Sequence, residues 1–115
     1  MTVAEFYEAV SGDYAEATKR LMKDSLILKF IQKFPADPSF AELKAALEAG
    51  DTETAFRQAH TLKGVCANLA FTQLTASASE ITEFLRAGKL DDAKACFPKV
   101  SADYETVITA LEKVE

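Results

Sequence analysis

DDAKACFPKVSADYETVITALEKV, residues 91–114, decides the fold. Ala93, Phe97, Val100, Tyr104, Val107, Leu111 and Val114 recur along it at spacings of 4-3-4-3-4-3. That is the period of a helix packing lengthwise against its neighbours. Asp91 and Asp92 place negative charge where a helix N-terminus favours it, so they read as helix charge rather than as a catalytic pair. Pro98 lies inside the run and is expected to kink the helix or start a new one. Strand-like alternation with period two is hard to find anywhere in the chain.

Helical segments continue upstream. Thr2 to Val10 is a short amphipathic stretch closed by Ser11-Gly12, and Asp13 can cap a helix beginning at Tyr14. That helix is expected to reach about Phe34, with a break near Asp24-Ser25 where the apolar spacing skips. Pro35 to Pro38 reads as a linker, with Asp37 and Pro38 as cap and first-turn residue of a helix carrying Phe40, Leu43, Ala46 and Leu47. It stops at Gly50, and Asp51 caps a long helix from Thr52 to about Leu69. Thr72 can cap the next one, with Leu74, Ala78, Ile81, Phe84 and Leu85 inward and Gly88 just past its end. The aromatics Phe30, Phe34, Phe40, Phe84 and Phe97 fall on these stripes and are assigned to the core, and Phe71 is read as a staple onto the next helix.

The expected architecture is all-α: an antiparallel, up-and-down four-helix bundle with additional short helices at its N-terminal side. Its four members would be the three long C-terminal segments and the helix around Tyr14 to Phe34.

The 115 residues leave room for one domain, spanning 1–115. A composition 49% hydrophobic and 27% charged, with 4 Gly and 3 Pro, is that of a globular chain without repeats or low-complexity segments. A net charge of −5 and no basic run disfavour nucleic acid as a partner. No stretch is long and apolar enough for a membrane span, and the first residues lack the pattern of a signal peptide. Cys66 and Cys96 are far apart and read as two reduced, buried thiols in a cytoplasmic protein. The start at Met1 and the clean termini lead to the expectation of a free-standing monomer.

The chain has a single histidine. At about 100° per residue, Ala55, Ala59, Leu62, Cys66 and Leu69 cluster within about 80° of arc, and His60 lies roughly 110–140° from their centre. A core histidine is thereby disfavoured. Gly64 stands one turn on, in mid-helix, where glycine costs about 1 kcal/mol relative to alanine, and Ala67 is two turns on. Lys63 and Arg57, at i+3 and i−3, can supply positive charge on either side. An exposed imidazole, cationic flanks and a missing side chain suit a group that accepts phosphoryl from another protein. A neutral imidazole presents a nucleophilic lone pair, and phosphoryl transfer asks mostly for positioning and charge. With neither a nucleotide loop nor acidic metal ligands beside His60, the chain is read as a carrier rather than an enzyme. It has no cofactor of its own, and Mg²⁺ is expected from the partner.

His60-Thr61-Leu62-Lys63-Gly64 followed by Asn68-Leu69 resembles the H-x-L-K-G-x-x-x-x-L motif of histidine-containing phosphotransfer (HPt) domains, and Ala46 to Asp51 is similar to the loop preceding the phosphorylated helix in that family. The resemblance implies an antiparallel four-helix bundle, phosphorylation on imidazole Nε2, and docking to receiver domains of response regulators or hybrid kinases, or to a histidine kinase. His60 would then be the phosphoacceptor, Lys63 and Arg57 phosphoryl-stabilising groups, and Gly64 and Ala67 the access and docking strip. The family usually has glycine after the motif leucine; Ala70 stands there, which bears on the chain path near Phe71. Two rival readings remain: an HPt-like module that binds a partner without being phosphorylated, and a metal site joining His60 to Cys66 and Cys96. The second is opposed by the roughly 120° between His60 and Cys66 on the helix.

Overall fold

The computed structural model describes residues 1–115 and is all helical. In chain order the helices are α1 (Val3–Ala9), α2 (Tyr14–Leu21), α3 (Asp24–Ile31), α4 (Ser39–Ala49), α5 (Thr52–Asn68), α6 (Thr72–Arg86) and α7 (Leu90–Leu111), with a 3₁₀ turn at Phe34–Ala36 between α3 and α4. Helix α5 packs against α4 and α6, and α6 against α7. The loops between these four are two or three residues long, which folds each helix back along its predecessor. Face-to-face stacking of Phe40 on Tyr104, with ring centroids 3.9 Å apart and planes 4° off parallel, joins α4 to α7. The fourth bundle helix is therefore Ser39–Ala49, not the Tyr14–Phe34 region. That region is too interrupted to serve: it ends at Leu21, restarts at Asp24 and gives way to the 3₁₀ turn.

Local chemistry explains most of the boundaries. Thr2 and Glu5 form a reciprocal capping box on α1, and the Asp13 carboxylate accepts from the Glu16 N–H at the start of α2. The Asp51 carboxylate does the same for α5 by accepting from the Thr54 N–H at 3.1 Å; hydrogen bonding from Thr54 holds its pKa below the usual carboxylate value. Pro38, not Asp37, occupies the cap position of α4; the Asp37 carboxylate lies one residue outside it and accepts from the Ser39 N–H at 2.9 Å. Two further boundaries differ from expectation, at the start of α6 and at Pro98, where no new helix begins. Phe71, not Thr72, occupies the cap position of α6. Helix α7 runs through Pro98 unbroken, because Pro98 and Lys94, the residue whose carbonyl loses its partner, both lie on the solvent side.

Four helices end alike. After α1, α4, α5 and α6 the chain enters the left-handed region, at Ser11 (φ 52°), Gly50 (φ 72°), Ala70 (φ 59°) and Gly88 (φ 73°). In each case that residue's own N–H and the next one turn back onto the last carbonyls, as in Ala70 to Ala67 at 3.1 Å and Phe71 to Cys66 at 3.0 Å. Ala70 thus adopts a left-handed conformation at a cost of about 1–2 kcal/mol for a residue with a Cβ.

The N-terminal segment meets this turn. The Tyr7 hydroxyl donates to the Leu69 carbonyl at 2.7 Å, the Asp13 N–H donates to the Ala70 carbonyl at 2.9 Å, and the Gln73 N–H donates to the Ser11 carbonyl at 3.3 Å. Phe71 is fully buried, edge-on to Phe6 and Phe34, and so is a hub of the core rather than a peripheral staple. Phe30, by contrast, is 41% exposed, with the Lys33 ammonium over its ring, which corrects its assignment to the core. A Cβ on Gly12 would lie 2.8 Å from Tyr7 Cδ1 and 2.9 Å from the Ala70 oxygen, and a backbone carbonyl fixed in a turn has little room to yield. Gly12→Ala should therefore destabilise the protein by about 1–3 kcal/mol in urea unfolding; unchanged stability would show that this contact is not tight in solution.

Candidate functional site

Helix α5 buries Ala55, Ala59, Leu62 and Cys66. Three of these are small, so α5 seats deeply and turns the opposite stripe outward. His60 stands on that stripe, exposed. Its ring makes no hydrogen bond and no ion pair within the protein, so both imidazole nitrogens are free. One neighbour gives it a defined setting: Phe56, a turn earlier, stacks on it with centroids 6.0 Å apart and planes 20° from parallel.

The sequence-derived companions of His60 are placed unequally. Gly64 is exposed, and a Cβ built on it meets nothing within 4 Å. Open space does lie one turn from the ring. Lys63 is half-buried and has no carboxylate at ion-pair distance, so its ammonium is uncommitted. Arg57 points the other way: its guanidinium donates to Glu53 at 3.0 Å and to Thr54 at 3.2 Å, both towards the N-terminal end of α5. The Arg57–Glu53 pair is exposed on both sides, so it is a weak surface contact. Ala67 continues the strip, half-buried, and its carbonyl accepts from Arg20 of α2 at 2.7 Å.

Three residues near the site escaped the sequence reading. Phe56 had a usable signal in its i−4 spacing to His60. Arg86 reaches from α6 to lie 5.0 Å from the Phe56 ring centroid, and Arg20 reaches Ala67 from α2; neither contact is visible before the helices are docked. Cys66 is fully buried, and burial pushes its thiol up to about 12. Cys96 lies on α7, and the structure brings no group of three or more metal-ligating side chains together. No helix is long and apolar enough to cross a membrane.

Because the space beside Gly64 is empty, an added methyl should gain helix propensity without a clash. Gly64→Ala is expected to stabilise the protein by about 0.5–1 kcal/mol in thermal or urea unfolding; destabilisation would mean that something occupies that space.

Neither the comparison with curated proteins nor that with solved structures returns a match. The family model described as "Hpt domain" matches residues 25–113, which takes in the whole of α4 to α7 and the His60 stripe. Proteins of this family are helical-bundle phosphocarriers of two-component phosphorelays, acting with receiver domains and kinases. By sequence, by helical architecture and by this match, the chain belongs to the Hpt domain family.

Proposed function

We propose that His60 is the phosphoacceptor, and that it exchanges its phosphoryl group with the aspartate of a receiver domain. The single observation that carries this reading is an exposed, unbonded imidazole with open space at Gly64 and a free ammonium at Lys63.

The chemistry follows from the geometry. A nitrogen lone pair of His60 attacks the phosphorus of an aspartyl phosphate in line. The N–P bond forms as the acyl O–P bond breaks, and the aspartate leaves as a carboxylate with the bonding pair. The reverse step returns the group to a carboxylate. Negative charge spreads over the phosphoryl oxygens at the transition state, and the i+3 spacing of Lys63 supports it as the cation that meets this charge. Gly64 and Ala67 leave the strip low enough for a receiver surface to approach. Mg²⁺ belongs to the acidic side of the receiver in this scheme. Arg57, at i−3, is a second cation for the phosphoryl group once it leaves its exposed pair with Glu53.

Incubation with a phosphorylated receiver domain tests the proposal. The wild-type chain should acquire an acid-labile, base-stable label that His60→Gln abolishes. A receiver that binds but leaves the chain unlabelled would favour a docking module without phosphoryl carriage. Lys63→Ala should retain its helicity and slow transfer roughly tenfold, the equivalent of about 1.4 kcal/mol at the transition state. Unaltered transfer would reduce Lys63 to a solvated neighbour.

A further inference from the structure

His60 has no hydrogen-bond partner to set its ring, yet an in-line transfer requires a defined lone-pair direction. An exposed imidazole free to sample its staggered side-chain rotamers would spend part of its time misdirected. Phe56 supplies the missing restraint. Its ring stacks on His60, with centroids 6.0 Å apart and planes 20° from parallel, within the range in which aromatic pairs attract. Stacking engages the face of the imidazole and leaves both nitrogens in its plane unencumbered, which a hydrogen bond to one nitrogen would not.

Phe56 is itself held. The Arg86 guanidinium lies 5.0 Å from its ring centroid, inside the distance at which a cation is drawn to an aromatic face. Glu83 carboxylate oxygens accept from Arg86 Nε at 3.3 Å and tether the arginine from its own helix. The series Glu83, Arg86, Phe56, His60 thus runs from α6 across to α5 and ends on the reactive ring.

We propose that Phe56 and Arg86 are positioning residues that orient the His60 imidazole for phosphoryl transfer, Phe56 by stacking and Arg86 by holding Phe56. This rests on the reading of His60 as phosphoacceptor, but the ring geometry can be tested separately. As the chain has one histidine, its imidazole C–H protons give uncrowded NMR signals. In the wild type these should be displaced from their free-imidazole positions by the Phe56 ring current and show nuclear Overhauser contacts to the Phe56 ring protons. Phe56→Leu should move them towards free imidazole, and Phe56→Tyr should not.

At saturating phosphorylated receiver, Phe56→Leu should lower the limiting transfer rate about 3- to 10-fold, with an unchanged half-saturating receiver concentration. Arg86→Gln, a substitution at an exposed position that does not burden folding, should lower it about 2- to 3-fold, with Arg86→Lys restoring part of the loss. Wild-type shifts in Phe56→Leu, or a raised half-saturating concentration at an unchanged limiting rate, would overturn the proposal; the latter would make Phe56 a docking contact. If the wild-type chain takes no phosphoryl group, the carrier reading fails, while the NMR comparison still decides whether the stack exists.

Discussion

Everything at the site follows from how α5 is seated. Its buried stripe is Ala55, Ala59, Leu62 and Cys66, a set with only one large side chain, so α4 and α6 can close on it from both sides. A helix gripped in this way has a single remaining stripe for solvent, and that stripe is set by the helical period rather than by any feature of the histidine. His60, Gly64 and Ala67 are outward because Ala59, Leu62 and Cys66 are inward. The reactive residue therefore needs no pocket; its exposure is the complement of good packing.

The same seating explains what was legible in advance. Seams such as Val100, Tyr104 and Val107, and the His60 face of α5, are properties of one helix and survive translation from sequence to structure. Assignments that depended on which helix meets which did not. Phe30 has the spacing of a core residue and ends up under a lysine at the surface. The Tyr14–Phe34 region has enough apolar residues for a bundle helix but is broken at Met22 and Lys23. Pro98 starts no new helix, because at an exposed position water can take the place of the missing bond. Arg57 and Arg86 make the sharpest contrast. The first is near His60 in sequence and bonded elsewhere; the second is 26 positions away and is linked to the ring through Phe56.

Residues 1–24 precede the family match but are not loosely attached. They carry Tyr7, Gly12 and Asp13, which close on Leu69 and Ala70 at the end of α5. The left-handed alanine sits where these contacts converge, and its strain is offset by the surroundings that require that conformation. The end of the histidine-bearing helix is accordingly determined by a part of the chain more than fifty positions away.

The two ends of the chain also meet. The Met1 ammonium donates to the Lys113 carbonyl at 2.6 Å, and the Glu115 N–H donates to the Met1 carbonyl at 3.0 Å. The polypeptide is thus nearly cyclic, and it closes beside α7, a helix that contributes nothing to the His60 stripe. Cargo attached at either end would hang from the same corner of the molecule, with the imidazole still open to visitors.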